Sequence, residues 1–317
     1  MKIFYYLYFL LILFGYLRAH AGDLVADSLR LQSHVTYLSN IHPPRSIGHI
    51  ESLERSAQYV ELQLKKYSTR IENQTYSVSA GEVRNIIASF GPEKGSRIIV
   101  GAHYDVCGNQ PGADDNASGV AGLLEIARLL SQDSSKSDRR IDLVAYTLEE
   151  PPYFRTELMG SYIHAKSLKD RNIKVDLMVC LEMIGYYSNV EGSQSYPIGL
   201  MKLVYPTTGD FIAIVSNISS SFSAGDFVEL MEQNCAIKTQ RLTAPASVQG
   251  VDFSDHLNYW NFDYKAIMIT DTAFLRNGHY HQISDNPESL NYYAMAEVVN
   301  GIYYAVSHFH GSSKKYK

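Results

Sequence analysis

The chain has 317 residues, of which 45% are hydrophobic and 19% are charged, so it can bury a full core and does not have the composition of a disordered chain. Its formal net charge of −5 gives no electrostatic reason to expect nucleic-acid binding. The three cysteines, Cys107, Cys180 and Cys235, are an odd number and do not form a disulfide framework. One disulfide with one free thiol and three free thiols are both compatible with the sequence.

The first residues have the pattern of a secretory signal peptide. The basic Lys2 precedes an apolar run over residues 3–17, and Ala19-His20-Ala21 offers a small-residue cleavage site. This run is short for a membrane span, which needs about 20 apolar residues. We therefore predict a signal peptide over residues 1–21, cleaved near Ala21, and a secreted or periplasmic protein over residues 22–317 with no stable membrane anchor.

The segment before residue 97 contains helical patterns followed by strand patterns. Residues 27–68 carry two helical patterns, and His42-Pro43-Pro44-Arg45 marks a turn between them because each proline disfavours a helical conformation in the residue before it. Residues 69–90 alternate apolar and polar side chains, as antiparallel strands do. The apolar run Arg97–Ala102 is then typical of a buried parallel strand.

A polar, glycine-rich stretch follows this strand and precedes a helical pattern over residues 120–130. It contains His103, Asp105, Asp114 and Asp115. The crevice beyond the carboxyl end of a strand is where ligands bind in open α/β sheets. Imidazole and carboxylate groups together suit zinc, which takes nitrogen and oxygen ligands. Taken alone, the stretch is also compatible with a solvated polar loop.

The order of apolar strand, polar end and helix repeats along the chain. Three more strand patterns are followed by metal-ligand side chains: residues 141–148 by Glu149 and Glu150, residues 175–181 by Glu182, and residues 265–270 by His279 and His281. Alternating strands and helices imply parallel strands whose carboxyl ends share one edge. We predict a single α/β domain with a mixed, mostly parallel twisted sheet and helices on both faces. Residues 185–255 carry no motif that predicts a function.

The residue types at the four strand ends fit hydrolytic metal chemistry. A zinc site of this kind needs ligands that leave one coordination position open, and a base that is not itself a ligand. Two metal ions about 3.5–4 Å apart share a bridging carboxylate in many such sites. Adjacent glutamates suit two roles, because one can bind metal while its neighbour accepts the proton of a water molecule. The chain supplies six candidates: His103, Asp115, Glu149, Glu150, Glu182 and His281.

The order and spacing of these motifs resemble the M28 family of zinc aminopeptidases over about residues 34–308. The matching motifs are His103-Tyr-Asp105, Gly112 to Gly119, Glu149-Glu150, Leu181-Glu182-Met183 and Tyr280 to Asp285. The resemblance implies a zinc-peptidase/phosphorylase-like fold. It also implies an exopeptidase that hydrolyses peptides with a free N-terminus by means of zinc-activated water.

Carried over by position, the resemblance implies five ligands for two zinc ions. His103 and Glu182 would bind one ion, Glu150 and His281 the other, and Asp115 would bridge them. The local chemistry does not exclude Asp114 in place of Asp115, or His279 in place of His281. Glu182 stands where some family members have aspartate.

The resemblance assigns further roles around the ligands. Glu149 would be the general base. Asp105 would be a second catalytic residue that orients a ligand imidazole, and Asp285 would orient an imidazole in the same way. Tyr186, Tyr187 and Tyr280 are candidates to hydrogen-bond a reaction intermediate. The run Ser254-Asp255-His256 resembles a family motif beside the pocket; we do not expect a nucleophilic triad there, because triad residues are rarely adjacent in sequence.

Three alternatives to an aminopeptidase follow from the same resemblance. A glutaminyl cyclase resembles the family but uses one zinc ion. A carboxypeptidase or amidohydrolase of the M20 family usually inserts a dimerisation domain between the acidic ligand and the last histidine, and the interval from Glu182 to His281 shows no pattern of one. An inactive binding module of the same fold typically loses ligands, whereas every position is filled here. Side-chain preference and oligomeric state are not predicted.

Overall fold

The computed structural model describes residues 24–134 and 139–310, and the predicted signal peptide lies outside them. One mixed sheet of eight strands organises the described chain, in the order β1-β2-β4-β3-β5-β8-β6-β7. The strands are β1 (Ile71–Val78), β2 (Gly81–Phe90), β3 (Arg97–His103), β4 (Arg140–Tyr146), β5 (Val175–Glu182), β6 (Phe211–Ser216), β7 (Lys238–Thr243) and β8 (Ala266–Thr270). The predicted α/β sheet is confirmed.

The direction of the strands brings the predicted site together. The central strands β4, β3, β5 and β8 are parallel neighbours. The antiparallel hairpin of β1 and β2 extends the sheet beside β4, and β6 pairs antiparallel with β8 at the other side. Because β3 lies between β4 and β5, the carboxyl ends of these three strands are adjacent. His103 and Glu182 are the last residues of β3 and β5.

Helices cover both faces of the sheet, as predicted. They are α1 (Ser28–Ser39), α2 (Ile50–Leu64), α3 (Gly119–Gln132), α4 (Gly160–Asp170), α5 (Ser221–Met231), α6 (His256–Asn261) and α7 (Tyr292–His308). The larger apolar core contains side chains of α1, α2, α3, α5 and α7, and the smaller core contains side chains of α4 and α6. Each fully buried leucine or isoleucine in these cores contributes about 1.5–3 kcal/mol of transfer free energy.

The N-terminal helices belong to the same core as the central strands. Leu31, Val35 and Leu38 of α1 are fully buried and join the larger core. Asp27 caps α1, because its carboxylate accepts the backbone N–H of Leu29 at 2.9 Å. Across residues 24–134 and 139–310, no helix has both the length and the apolar character that a bilayer span requires.

All three cysteines lie in the described part of the chain, and all three are free thiols. The structure therefore agrees with the second of the two alternatives that the cysteine count allows. Cys180 is buried, whereas Cys107 and Cys235 are half-buried.

Candidate metal centre

The structure brings the five predicted metal ligands together at the carboxyl edge of the sheet. We call His103, Asp115, Glu150, Glu182 and His281 the ligand cluster. The first four are at least nine-tenths buried, and the side chain of His281 is 28% exposed. Glu182 is the last residue of β5, Glu150 lies in the loop after β4, Asp115 precedes α3, and His281 lies in the loop after β8. The fold thus gathers residues that are far apart in sequence into one site.

Asp115 lies at the centre of the ligand cluster, between two imidazoles. Its Oδ1 is 3.4 Å from His103 Nε2, and its Oδ2 is 3.1 Å from His281 Nε2. On the first side, Glu182 Oε2 is 3.3 Å from His103 Nε2. On the second side, Glu150 Oε2 is 3.3 Å from His281 Nε2. Each oxygen of Asp115 therefore faces one histidine, and each of these histidines also faces one glutamate.

The spacing of these atoms fits a metal centre. Two ligands of a tetrahedral zinc ion at about 2.0–2.1 Å lie about 3.3–3.4 Å apart, close to the separations across Asp115. Within the described residues, neither ring nitrogen of the buried His103 has a hydrogen-bond partner. A buried polar atom without a partner is costly, and a metal ion would satisfy Nε2, the ring nitrogen that faces Asp115 and Glu182.

The charge of the site also favours bound cations. Five carboxylates converge here: Asp105, Asp115, Glu149, Glu150 and Glu182. In residues 24–134 and 139–310, their ion pairs are with His103 and His281, and no lysine or arginine lies within 4.0 Å of them. Buried carboxylates without compensating charge are strongly destabilising. The donor set therefore fits one or more divalent cations.

Asp114 faces away from the histidines. Its carboxylate accepts the N–H of Gly185 at 2.9 Å and the side-chain amide of Asn277 at 2.7 Å. Burial, together with the neighbouring Asp271, raises the pKa of Asp114 well above its ordinary value. Of the two aspartates that the sequence left open, Asp115 is the one that faces the ligand cluster.

His279 also faces away from the ligand cluster. Its Nδ1 lies 2.8 Å from Ser284 Oγ, and its ring meets Tyr186 edge-on. By contrast, the ring of His281 stacks on Tyr280 with 3.8 Å between the ring centroids. Of the two late histidines, His281 is the one positioned to bind a metal.

Asp105 and Asp285 both accept hydrogen bonds from buried backbone N–H groups near the ligand cluster. Asp105 accepts the N–H groups of Glu149 at 3.2 Å and Glu150 at 3.0 Å, and its Oδ1 lies 3.5 Å from His103 Nδ1. Asp285 accepts the N–H groups of Asp114 and Asp115 at 2.9 and 3.1 Å. The expectation that Asp285 orients an imidazole is replaced by these contacts: its oxygens satisfy the buried N–H groups of the turn that carries Asp115.

Arg45 holds the loop that joins His103 to Asp115, a role that the sequence did not suggest. Its guanidinium is buried and donates to the carbonyls of Tyr104 at 2.9 Å, Gly112 at 2.6 Å and Pro111. A fourth bond at 3.1 Å reaches Leu38 at the end of α1. The only sequence signal was an arginine in the proline turn between two helices. Arg45 is thus a positioning residue for the ligand loop.

Ser254, Asp255 and His256 do not form a triad. The Ser254 hydroxyl donates to Glu182 Oε2 at 2.7 Å, and His256 Nε2 lies 2.8 Å from the carbonyl of Val251. The buried Asp255 does not link them, and burial raises its pKa to about 7. Ser254 therefore orients a candidate ligand, in agreement with the expectation that no nucleophilic triad is present.

Glu149 lies beside the ligand cluster, with its Oε2 3.9 Å from His103 Nε2. Burial raises the pKa of Glu149 well above its ordinary value; the His103 imidazole opposes this shift, and the carboxylates of Glu150 and Glu182 add to it. Glu149 therefore shares the electrostatic environment of the ligand cluster.

An apolar pocket adjoins the ligand cluster at Glu182 and Tyr280. Its walls come from β6, β7, β8 and the loops around them. The apolar residues that line it include Tyr196, Met201, Tyr205, Phe211, Ala213, Val215, Phe253, Met268, Phe274 and Leu275. Most of these residues lie in the segment from which the sequence predicted nothing, because their common feature is spatial proximity and not a motif.

An aspartate between two histidine–glutamate pairs, at the carboxyl edge of a mixed sheet, is an arrangement that suits metal-assisted hydrolysis. The chain belongs to peptidase family M28, whose family model matches residues 85–306. The resemblance seen in the motifs is therefore confirmed.

Two relatives and two solved structures illustrate this similarity. The uncharacterised protein YfbL of Escherichia coli K12 is 45% identical over 87% of each chain. Leucine aminopeptidase 1 of Trichophyton equinum is 25% identical over 84% of this chain and 70% of its own. The LapA aminopeptidase of Legionella pneumophila has a similar fold, with a TM-score of 0.69 at 18% identity over 91% of this chain and 75% of its own. A glutaminyl cyclase of Porphyromonas gingivalis aligns with a TM-score of 0.66 at 20% identity over 90% of this chain and 99% of its own.

Proposed function

We propose that the chain is an exported, zinc-dependent aminopeptidase that removes N-terminal residues from peptides. The observation that carries this proposal is the position of Asp115, whose two oxygens each face a histidine that in turn faces a glutamate. Glu149 lies beside this centre and pairs with no lysine or arginine among the described residues. Family membership and relatives named aminopeptidases support the same reaction class.

The proposed reaction divides the work between ligands and base. Bound at the ligand cluster, two zinc ions would supply electrophilic polarisation of the scissile carbonyl and lower the pKa of the attacking water. Glu149 accepts the proton of that water and returns it to the leaving amine. Asp105 keeps the backbone of Glu149 and Glu150 fixed during this transfer through its two N–H bonds. Ser254 holds Glu182 in position.

The apolar pocket supports a preference for large apolar N-terminal residues. It opens next to Glu182, so a peptide bond held at the ligand cluster would direct its first side chain into it. Burying a leucine or phenylalanine side chain there contributes about 1.5–3 kcal/mol relative to leaving it exposed. We therefore expect leucine and phenylalanine anilides to be better substrates than the alanine anilide.

The decisive experiment replaces the proposed base. Glu149→Gln keeps the size of the side chain but cannot accept a proton as a carboxylate, so we expect kcat for leucine anilide to fall by about 10²–10⁴-fold with zinc content unchanged. Hydrolysis rates and zinc per chain are measured on the same preparation. The matched control is Glu93→Gln on the exposed turn before β3, which should hydrolyse the substrate normally. A Glu149→Gln variant with near-normal turnover would remove Glu149 from the mechanism.

A glutaminyl cyclase is the alternative function, and zinc content together with the reaction products distinguishes it from an aminopeptidase. A cyclase uses one zinc ion, whereas the ligand cluster offers a histidine and a glutamate on each side of Asp115. We expect two zinc ions per chain and release of N-terminal residues from unblocked peptides. One zinc ion per chain together with cyclisation of N-terminal glutamine would instead identify a cyclase.

Export rests on residues 1–21, whose pattern is that of a signal peptide. Expression of the full chain should yield a processed protein that begins near Gly22 in the medium or the periplasm. Mass spectrometry of the intact mature protein measures this directly. A full-length chain retained in the cytoplasm would contradict the proposal.

A further inference from the structure

A cysteine lies at one side of the ligand cluster. Cys107 Sγ, a carboxylate oxygen of Glu150 and a ring nitrogen of His281 all lie within 4.8 Å of one another. Cys107 is a free, half-buried thiol in the loop that Arg45 holds. The ligand set that the family resemblance implies does not include it.

A second observation points to a ligand at the same place. Glu150 is 5% exposed, and its Oε1 is a buried oxygen without a hydrogen-bond partner among the described residues. Its other oxygen faces His281 at 3.3 Å. A carboxylate with one unsatisfied oxygen, an imidazole and a thiol therefore belong to one compact group of side chains, which is an arrangement that binds thiophilic metal ions.

We propose that Cys107 is an additional protein ligand on the Glu150–His281 side of the metal centre; this inference rests on the metal centre of the proposed function. On binding, the thiol gives its proton to solvent, and the sulfur lone pair forms the bond to the metal ion. The metal ion replaces the proton, so no oxidant or reductant is needed.

This ligand would make the two sides of Asp115 unequal. The Glu150–His281 side would have four protein ligands once Cys107 and Asp115 are counted, and four is typical of zinc sites that hold structure. The His103–Glu182 side would have three, the number typical of sites that keep one position open for water or substrate. Glu149, which lies 3.9 Å from His103 Nε2, is on the side with the open position.

Cobalt substitution tests the sulfur ligand without relying on activity. The metal-free full chain is loaded with two equivalents of Co²⁺, and its near-ultraviolet absorption is recorded. A thiolate ligand adds a sulfur-to-cobalt charge-transfer band, so we expect this band in the wild type and its absence in Cys107→Ser. The matched control is Cys235→Ser, because Cys235 Sγ donates to the carbonyl of Ile237, away from the ligand cluster. A wild type without the band, or a Cys107→Ser variant that keeps it, overturns the proposal.

Zinc affinity and thiol protection give two further readouts. Loss of a residue that hydrogen-bonds a metal ligand typically weakens metal affinity about 10–100-fold. Loss of a ligand should have at least as large an effect, so in Cys107→Ser we expect one of the two zinc ions to bind at least about 10–100-fold more weakly than in the wild type. In the unmodified wild type, zinc should protect Cys107 from iodoacetamide and leave alkylation of Cys235 unchanged. Equal alkylation of Cys107 with and without zinc overturns the proposal even if Cys107→Ser folds poorly.

The outcome is separable from that of the proposed function. Glu149→Gln should keep the charge-transfer band while losing turnover. If Glu149→Gln stays active and the band is present, the proposed base is wrong and Cys107 is still a ligand. If wild-type activity is normal and the band is absent, the peptidase proposal survives and the cysteine ligand does not.

Discussion

The ligand cluster and the apolar pocket share Glu182 and lie side by side, yet they are built differently. The ligand cluster comes from the ends of parallel strands and the loops that follow them, and most of its side chains are fixed by hydrogen bonds or ion pairs. The pocket is assembled from residues of β6, β7 and β8 and from several loops, with walls that are mostly aromatic and aliphatic side chains. The type of reaction therefore depends on the positions of a few atoms in the ligand cluster, whereas the choice of substrate depends on the shape of the pocket.

Removal of the central aspartate should break the ligand cluster and leave the pocket intact. Asp115→Asn removes the charge that faces both histidines, so we expect zinc content to fall and kcat/KM to drop by about 10³-fold or more, beyond the 10²–10³-fold typical for loss of a single stabilising donor. Metal analysis and anilide hydrolysis measure the two effects. The control is Asp263→Asn, an exposed carboxylate far from the cluster. Normal zinc content and activity in Asp115→Asn would contradict the bridging role.

Filling the pocket should change substrate choice and leave the metal centre intact. Ala213 is a buried residue of β6 that lines the pocket. Ala213→Leu occupies space needed by a large N-terminal side chain, so the preference for leucine over alanine anilide should fall about 10-fold, with zinc content unchanged. The control is Ala80→Leu in the exposed β1–β2 turn. An unchanged preference in a folded, zinc-loaded Ala213→Leu protein would place the first side chain elsewhere.

The histidines sharpen the same contrast between the two regions. Although burial opposes it, the carboxylates around His103 raise its pKa well above the ordinary value. His164 belongs to the α4 side of the sheet, where the smaller apolar core also carries the pocket walls, and its Nδ1 lies 2.6 Å from Tyr259 Oη. Burial lowers the pKa of His164 to about 3. The surroundings of His103 are thus carboxylates in the first region, whereas His164 is kept neutral by burial on the α4 side of the sheet.

A stability measurement against pH tests this difference. His164 in the unfolded chain binds a proton near pH 6.5, and the folded chain does so only near pH 3. Its stabilising contribution is therefore complete above pH 6.5 and is lost as the pH falls, by about 1.4 kcal/mol per pH unit. We measure the free energy of unfolding in urea at pH 7 and at pH 5. Its decrease between these two pH values should be about 2 kcal/mol smaller in His164→Asn than in the wild type. An equal loss in both proteins would mean that His164 is protonated in the folded state.

The sequence predicted the sheet and the ligand cluster because both depend on local patterns. An apolar run that ends in Glu149-Glu150 or Glu182 indicates where a strand lies and where it ends, and it also places a candidate ligand at that end. Local patterns did not distinguish Asp115 from Asp114, so the choice of Asp115 depended on the motif resemblance. The physical reason for it is visible only in the structure, where the carboxylate of Asp114 contacts Gly185 and Asn277. Contacts that join distant segments leave no such pattern, so the partners of Asp285 and the pocket walls emerged only from the structure.

The guanidinium of Arg45 has a consequence for how this chain can be divided. The family model begins at residue 85, yet Arg45 comes from the segment before it and donates to buried carbonyls of the ligand loop. A catalytic fragment trimmed to the family boundary would expose or strand the carbonyl of Tyr104, at a cost of about 1–3 kcal/mol if it stays buried, whereas the carbonyl of Gly112 would keep the N–H of Ala117. The region that precedes the family match is thus an inseparable part of the enzyme's smallest functional unit, and homologues can exchange it only together with a loop that fits it.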